Sequence, residues 1–288
     1  MWIVYVILGI AAATVVLTLY LLCPGRRRPA VTANPGPFAH RGLHTGDGRV
    51  PENSLAAFQR AAAQGLAVEL DVQLTADRQV VVFHDATLRR MCGVDRRLDE
   101  LTYEELRRYP LLVSGQYIPL LAEVLSVLDG VPVLCELKTM RSFTDTSICD
   151  AAWPILASYK GPVWIESFNP LLVHWFRRHQ PQVFRGILSM KFDEDTPEVT
   201  PSQGRLLTAL LTNFLTKPDF IAYQFSDRKV SAFRLCCRLF RPYTLAWTIR
   251  TPEQETTALE SGFNGVIFEG YDRSDVPENH SKNFSEKV

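Results

Sequence analysis

The sequence predicts an α/β barrel of the TIM (β/α)8 type, preceded by one N-terminal transmembrane helix. From Phe38 to Phe268, short β-branched segments alternate with segments of helical periodicity. Repeated alternation of this kind is typical of a parallel sheet, and about eight such units imply that the sheet closes into a barrel. The 288 residues are enough for one barrel, since such domains run to about 200–250 residues.

The predicted strands and helices follow one another along this region. The strands are Phe38–His40, Val68–Val72, Val80–His84, Val131–Leu137, Val163–Ser167, Phe184–Leu188, Phe220–Gln224, Tyr243–Thr248 and Gly265–Phe268. The helices are Ser54–Gln64, Leu120–Leu128, Thr146–Tyr159, Pro170–Arg178, Gln203–Phe214, Val230–Leu239 and Pro252–Ser261. Ser54 precedes an apolar periodic segment and Pro252 follows Thr251, and both positions are typical of a helix start.

Nine strands are one more than the barrel needs, and the segment between Val72 and Val80 accounts for the excess. Two adjacent parallel strands need a crossover of about a dozen residues or more, and far fewer lie between these two. We therefore predict that the second and third strands form an antiparallel hairpin. Eight parallel strands then remain for the barrel.

The register of this hairpin is predicted to bring charged side chains together. A turn centred on Ala76 and Asp77 would pair Glu69 with His84. Glu69 and Asp71 share one face of their strand, because side chains two residues apart point the same way. Directly opposed residues share a face across the ladder, so two carboxylates and an imidazole should converge.

The N-terminal segment has the features of a membrane anchor. From Trp2 to Leu22 it is uncharged and apolar, and it is long enough to cross a bilayer of roughly 30 Å. Arg26, Arg27 and Arg28 follow it, whereas a signal peptide carries its positive charge before the apolar stretch. We predict a retained single-pass anchor in the cell membrane, with the remainder in the cytoplasm. The alternative is a cleaved signal with an unusual first region.

These features divide the chain into four predicted parts. Residues 1–23 form the anchor, 24–37 a linker rich in Pro, Gly and Arg, and 38–271 the barrel, with an insertion at about 86–118. Residues 272–288 form a polar tail. The six cysteines are scattered without zinc-binding or redox spacing, which favours a reducing compartment over a disulfide framework.

Charged residues at the ends of the predicted strands indicate a site for a metal ion and an anion. Because barrel active sites lie at the carboxyl ends of the strands, Glu69, Asp71 and Glu136 should meet there. Three carboxylates make a hard oxygen site suited to Mg²⁺ or Ca²⁺. Arg41 and Lys138 lie beside these acids in the sequence and suggest an anionic ligand such as a phosphate.

Two histidines complete this set. His40 closes the first strand and His84 ends the hairpin, and two imidazoles can act as general base and general acid near neutral pH. A metal ion, phosphate-binding cations and paired imidazoles together suit phosphodiester cleavage. The balance of 31 basic against 31 acidic residues argues against a nucleic-acid partner, and no obligate protein partner is evident.

Five motifs, taken in order, resemble those of the glycerophosphodiester phosphodiesterase family, in a membrane-anchored bacterial-type form. They are His40-Arg41-Gly42, Glu52-Asn53-Ser54, Glu69-Leu70-Asp71-Val72, Val82-Phe83-His84-Asp85 and Glu136-Leu137-Lys138. The resemblance covers nearly everything from Phe38 to Phe268. It implies a TIM-type barrel with an insertion, a divalent ion, and hydrolysis of glycerophosphodiesters to an alcohol and glycerol 3-phosphate.

The resemblance also implies a role for each matching residue. The implied metal ligands are Glu69, Asp71 and Glu136, the phosphate contacts Arg41 and Lys138, and the acid–base pair His40 and His84. Glu52 resembles a residue near the metal or substrate, although capping of the following helix is an equal alternative. Trp247 resembles the family's aromatic residue that lines the pocket beside the leaving group. Glu269 follows the last strand where the family often has Thr-Asp, so the substrate preference stays open.

Two other functions use the same residues. A lysophospholipase D-like enzyme would cleave lysophospholipids or another phospholipid diester at this site, with lipid contacts in the insertion at 88–117. A non-catalytic, membrane-anchored anion-binding protein would be expected to lack one of the ligands or histidines, and none is missing. Of the other histidines, His44 lies in a Gly-rich loop and could face the site, whereas His174 and His179 follow helical spacing and are predicted to have surface or packing roles.

Overall fold

The protein is described here by a computed structural model, which describes residues 1–29, 36–139, 142–193 and 199–273. Within these ranges eight parallel strands close into a barrel, and one further strand pairs antiparallel at its side. The strands are β1 (Phe38–Ala39), β2 (Ala67–Leu74), β3 (Val80–Val82), β4 (Val133–Leu137), β5 (Val163–Ser167), β6 (Phe184–Ser189), β7 (Phe220–Gln224), β8 (Tyr243–Ile249) and β9 (Gly265–Phe268). The predicted TIM barrel is confirmed.

The helices predicted between the strands are present in the predicted order, and α3 and α4 are added within the insertion. They are α1 (Trp2–Leu22), α2 (Leu55–Ala63), α3 (Arg89–Cys92), α4 (Tyr103–Leu106), α5 (Leu121–Leu128), α6 (Ser147–Ala157), α7 (Pro170–His179), α8 (Pro201–Thr208), α9 (Asn213–Thr216), α10 (Ser231–Phe240) and α11 (Pro252–Glu260). Ser54 caps α2 by accepting a hydrogen bond from the Ala57 N–H. The helix predicted at Gln203–Phe214 is wrong as one element. It is interrupted between α8 and α9, where Leu210 adopts a left-handed φ of 56°.

The β2–β3 hairpin forms, but the predicted register is wrong by one residue. Val72 pairs with Val82, and the Phe83 N–H donates to the Asp71 carbonyl at 2.9 Å. Asp71 therefore lies opposite Phe83, one residue away from the partner that the predicted pairing of Glu69 with His84 would give it. The predicted cross-strand pair of Glu69 with the histidine at 84 does not form, because β3 ends at Val82.

The connecting loop explains the shift in register. It contains five residues, 75–79, and is centred on Asp77. The Thr75 hydroxyl donates to the Asp77 carboxylate at 2.6 Å and accepts from the Gln79 N–H at 2.8 Å. Arg78 adopts a left-handed φ of 61°, which lets the chain turn back one residue later than a turn at Ala76-Asp77 would.

The insertion after the hairpin has a small core of its own. Its buried apolar residues pack together with Val81 and Phe83 and are Leu88, Met91, Leu98, Leu101, Leu106, Leu111 and Ile118. A capping box at Thr102 and Glu105 starts α4. The insertion therefore packs onto the side of the hairpin as a folded unit.

Helix α1 is exposed along almost its whole length. It has 21 residues and a mean hydropathy of 2.4, so it is long and apolar enough to cross a membrane. Only its last turn contacts the barrel, through Tyr20 and Leu22. Residues 30–35 of the predicted linker and 274–288 of the predicted tail lie outside the described residues.

Candidate active site

Three buried carboxylates meet near the carboxyl ends of two neighbouring strands. Glu69 and Asp71 lie on β2, and Asp71 is paired in register with Glu136 on β4. Each of the three offers an oxygen, and these oxygens lie within 4.8 Å of one another. Exposed fractions of 2%, 1% and 8% show that all three acids are withdrawn from solvent. The convergence that was predicted from strand geometry is present for these three side chains.

The carboxylate cluster fits a hard divalent cation. Oxygens on opposite sides of one Mg²⁺ or Ca²⁺ ion, each at about 2.0–2.6 Å, lie about 4–5 Å apart. The spacing of the three oxygens agrees with that range. Asp71 Oδ1 is buried with the Lys138 ammonium 3.1 Å away, and a carboxylate oxygen has more than one lone pair, so it can still serve as a ligand.

Burial and mutual repulsion raise the pKa of two of the three carboxyl groups. Burial, followed by repulsion from Asp71 and Glu136, raises the pKa of Glu69 well above its usual range. Burial likewise raises the pKa of Glu136. The pKa of Asp71 lies well below its usual range, because the charges of Lys138 and His84 outweigh its burial. A divalent ion would relieve the excess of negative charge at this point.

Lys138 supplies a positive charge between two of the acids. Its Nζ lies 2.7 Å from Glu136 Oε1 and 3.1 Å from Asp71 Oδ1. Although burial lowers the pKa of Lys138, these two carboxylates raise it above its ordinary value, so the ammonium stays charged. The side chain still has 13% of its surface exposed, which leaves the ammonium accessible from the cavity.

Arg41 is held by a turn that only a few residue types adopt easily. Its φ is 56°, and its N–H donates to Glu69 Oε2 at 2.9 Å. Its guanidinium donates to Glu52 at 2.7 Å and has Nε 3.3 Å from Asp71 Oδ2. Asn53, also at positive φ, donates to Asp71 Oδ2 at 2.8 Å. The loop between β1 and α2 thus connects Arg41 to both acids of β2.

His40 is oriented by a carboxylate from the last strand. Its Nδ1 is hydrogen-bonded to Glu269, and its Nε2 lies 4.0 Å from Glu69 Oε2. Burial lowers the pKa of His40 below the ordinary 6.5, while the bond to Glu269 raises it in part. Glu269 also lies 3.7 Å from His44 Nε2 and 2.8 Å from Arg250 Nη2. Glu269 is therefore an acid that orients His40.

His84 lies in the segment that follows β3, and it is not paired with a residue of β2. Its Nδ1 is 2.8 Å from Asp85 Oδ1, and Asp85 in turn accepts from Arg90 Nε at 2.7 Å. Arg90 also donates to Glu52 at 2.6 and 2.8 Å. This network links His84 to Arg41 through shared partners. Glu52 binds two arginines and makes no capping bond to α2.

Glu166 is a fourth buried acid that the sequence analysis did not single out. It lies on β5 in register with Glu136, is 1% exposed, and its Oε2 has no hydrogen-bond partner. Burial, then repulsion from Glu136 and Asp71, raises its pKa well above the usual range. The signal was available, because Glu166 interrupts an apolar strand in the same way as Glu136.

A cavity of about 550 Å³ opens beside the carboxylates and connects them with an apolar wall. Its polar side includes His84, Glu136 and Lys138, and its apolar side includes Phe143, Phe168, Met190, Phe192 and Leu207. Trp247 packs edge-on against Phe168, with ring centroids 5.5 Å apart. The predicted aromatic residue thus supports the wall of the cavity.

The structure brings the predicted residues of the site close together and adds several. Asn53, Asp85, Arg90 and Glu166 join the residues that were singled out. His44 and Glu269, whose roles the sequence left open, lie 3.7 Å apart, and Glu269 is hydrogen-bonded to His40. Two histidines lie away from the site: His174 Nδ1 contacts the Leu215 carbonyl and His179 Nδ1 contacts the Trp175 carbonyl. His280 lies outside the described residues.

Comparison with known proteins agrees with this architecture. Residues 40–275 match the glycerophosphoryl diester phosphodiesterase family. A glycerophosphodiester phosphodiesterase from Bacillus altitudinis is 41% identical over 252 residues, covering 82% of this chain and 95% of that protein. The chain therefore belongs to the glycerophosphoryl diester phosphodiesterase family. The prediction of an enzyme of this family is confirmed.

Two further relatives are informative. A lysophospholipase D from Homo sapiens is 40% identical over 114 residues, which is 35% of each chain. A phosphodiesterase from Oleispira antarctica, solved in complex with the product sn-glycerol-3-phosphate, shares the fold with a TM-score of 0.67 at 24% identity. That likeness covers 83% of this chain and 94% of the other.

Proposed function

We propose that this protein hydrolyses glycerophosphodiesters to an alcohol and sn-glycerol 3-phosphate with the help of a divalent cation, Mg²⁺ or Ca²⁺. The observation that carries the proposal is the cluster of Glu69, Asp71 and Glu136, with Lys138 and Arg41 bound to it and an imidazole at each side. Membership of the family and the Bacillus altitudinis relative support the same reaction.

The acids and cations of the site would share the binding of the phosphate. The bound ion would supply Lewis-acid polarisation of the phosphate and hold it in place. Arg41 and Lys138 would face the remaining phosphate oxygens and stabilise the negative charge that develops on them. Glu52 holds the Arg41 guanidinium at 2.7 Å, so it positions a binding group.

His40 is suited to the role of general base. Its Nδ1–H donates to Glu269, which leaves Nε2 free to accept a proton, and its lowered pKa keeps the ring neutral near pH 7. It would take a proton from water, or from the neighbouring glycerol hydroxyl in a route through a cyclic intermediate. The new P–O bond forms as the bond to the leaving alcohol breaks.

His84 is suited to protonate the departing alkoxide. It lies on the wall of the cavity, one third of its side chain is exposed, and Asp85 holds its Nδ1 at 2.8 Å. Nε2 can therefore carry the proton that the leaving group needs. In the direct route the alcohol and sn-glycerol 3-phosphate are then complete, and a proton passes from His40 to His84 through solvent before the next turnover. In the cyclic route the alcohol leaves first, and a water molecule then opens the cyclic phosphate with His84 as the base and His40 as the acid.

The test is release of sn-glycerol 3-phosphate from a panel of glycerophosphodiesters, with and without a chelator. We expect release that a chelator abolishes and a divalent ion restores. His40→Ala and His84→Ala should each lower kcat by about 10²–10⁴-fold, whereas His179→Ala, on the surface of α7, should leave it unchanged. Full activity in both site variants would refute the acid–base assignment.

A lysophospholipase D-like activity is the second candidate. Its support is the apolar wall of the cavity, together with exposed Leu112, Val113 and Tyr117 on the insertion and the likeness to the human lysophospholipase D. The two functions share every site residue and differ in the leaving group. Comparison of glycerophosphocholine with lysophosphatidylcholine as substrates would discriminate them.

Helix α1 is proposed as a retained anchor in the cell membrane, with the barrel on the cytoplasmic side. Its length and hydropathy support a membrane span, and the arginines after it support that topology. Cell fractionation of the full chain, with mass measurement of its N-terminus, would test retention. A soluble product shortened by the length of α1 would show a cleaved signal instead.

A further inference from the structure

The chain that follows α1 is bound to one end of the barrel. The Leu22 carbonyl accepts from Asn213 Nδ2 at 2.9 Å, and the Cys23 carbonyl accepts from Lys217 Nζ at 2.8 Å. The Gly25 N–H donates to the Pro218 carbonyl at 2.8 Å. Leu22 is itself 3% exposed and belongs to a core cluster of the barrel. The end of α1 is therefore fixed to the barrel by several contacts.

Arg27 adds an ion pair to this attachment. Its Nε donates to Asp219 Oδ1 at 2.8 Å, and its Nη2 donates to the Val183 carbonyl at 2.7 Å. Asp219 is 2% exposed. A Cβ at Gly25 would lie 2.8 Å from the carbonyl oxygens at 217 and 218, so the backbone fits closely against the barrel. The docked segment, residues 22–27, behaves as part of the barrel surface.

The docked segment lies on the amino-terminal face of the barrel. Its partners, at 182–183 and 213–219, directly precede β6 and β7. The acids, cations and histidines of the site lie toward the opposite ends of β1, β2, β4 and β9. Strands of five or six residues rise about 16–20 Å along their own direction, which the tilt of barrel strands shortens to roughly 12–16 Å along the barrel axis. The attachment therefore lies toward one end of the barrel and the site toward the other.

Helix α1 leaves the barrel at this face. Tyr20 contacts Phe214, with centroids 5.9 Å apart, and Lys217 Nζ lies 5.4 Å from the Tyr20 ring. Toward the N-terminus the side chains from Trp2 to Leu17 are exposed. A helix running back along the barrel wall would be partly covered, so α1 extends away from the barrel.

From this arrangement we infer that the mouth of the active site opens away from the bilayer that holds α1. The substrates are then diesters that arrive through water, as soluble molecules or as single lysolipids, and not lipids of the same bilayer. The inference rests on the proposed phosphodiesterase activity and names its substrate class. A lipid headgroup that stays in the bilayer would face the amino-terminal side, at the opposite end of the barrel from the mouth of the site.

The orientation is tested by energy transfer to labelled lipid headgroups, with the full chain in nanodiscs. A fluorophore is placed at Lys160, which precedes β5 on the amino-terminal face, or at Arg49, in the loop after β1. Both are exposed basic residues outside the site, so each serves as the control for the other. We expect transfer that is roughly twofold higher or more from position 160. Equal transfer, or higher transfer from position 49, would overturn the inference.

The substrate class is tested in the same nanodiscs with two substrates that carry the same glycerol phosphodiester. Glycerophosphoglycerol is soluble, and phosphatidylglycerol carries the same glycerol phosphodiester on two acyl chains. We expect the first to be hydrolysed as fast as in detergent and the second, in the nanodisc that holds α1, to remain intact. Comparable hydrolysis of both would overturn the inference. Failure to hydrolyse the soluble diester would instead refute the proposed function, while the energy transfer still reports the orientation.

Discussion

At the scale of single residues, the site holds more buried negative charge than positive charge. Four acids, Glu69, Asp71, Glu136 and Glu166, face two cations, Lys138 and Arg41. Burying a carboxylate is costly unless it is paired, and Glu166 has an oxygen without any partner. This excess of acids makes the site receptive to a divalent ion.

The orientation of His40 gives a prediction about pH. Because burial lowers the pKa of His40, the acid limb of the kcat/KM profile should lie below pH 6.5. The bond to Glu269 raises the pKa of His40, so Glu269→Gln should move the acid limb to still lower pH and reduce kcat. The measurement is kcat/KM from pH 4.5 to 8.5. An acid limb that moves upward in the variant would contradict the assignment.

Glu166 gives a prediction about stability. Its pKa is raised in the folded protein, so the folded state binds its proton more tightly than the unfolded state does. The stability associated with Glu166 is therefore present below the unfolded pKa of about 4.3 and is lost as the pH rises toward the folded pKa. In chelator-treated protein, Glu166→Gln should stabilise the fold at pH 7.5 by about 1 kcal/mol or more, the scale of one pKa unit.

Urea unfolding of the wild type and this variant at pH 4 and at pH 7.5 would measure the effect. The gain should shrink at pH 4, where the wild-type carboxyl is already protonated. Equal effects at the two values would show that the pKa of Glu166 is the same in the folded and the unfolded protein, which contradicts the prediction.

At the scale of secondary-structure elements, strand order was predictable and side-chain detail was not. The length between β2 and β3 excluded a parallel crossover, and this alone placed the hairpin. The predicted register was wrong by one residue because Thr75 bonds both Asp77 and Gln79. The alternation of apolar residues does not reveal this side-chain preference. The break between α8 and α9 depends on a left-handed Leu210, which no sequence pattern marks.

The candidate site was also predictable only in part. Glu69, Asp71 and Glu136 were predictable, because i, i+2 spacing and strand adjacency bring them to one place. Glu269, after the last strand, meets His40 and His44, which follow the first strand, across the closure of the barrel. Contacts between residues that are 229 positions apart depend on barrel closure and side-chain conformation, which the sequence does not specify in detail.

The packing between β6 and β7 gives a prediction at this scale. A Cβ at Gly186 would lie 2.2 Å from the Phe220 ring, in a part of the barrel where both residues are buried. Gly186→Ala should therefore destabilise the fold by about 1–3 kcal/mol in urea unfolding. Adding Phe220→Leu should recover part of this loss, because the smaller side chain frees space. Simple additivity of the two changes would contradict a direct clash.

At the scale of the whole molecule, the two ends of the barrel have different tasks. The amino-terminal face holds the segment after α1, and the carboxyl face carries the acids, cations and histidines. Barrel enzymes place their active sites at the carboxyl face, so the proposed anchor, on the opposite face, would leave the mouth unobstructed. The insertion and the β1–α2 loop are then free to contact substrates that arrive from solution.

The central claim is that Glu69, Asp71 and Glu136 together hold a divalent cation. Calorimetric titration of Mg²⁺ and of Ca²⁺ into chelator-stripped full-length protein tests it most directly. The matched sample carries Glu69→Gln, Asp71→Asn and Glu136→Gln, which keep the shape of the side chains and remove their charge. We expect one ion bound per wild-type chain and no measurable binding by the variant. Equal binding of the ion by both proteins, or by neither, would contradict the account.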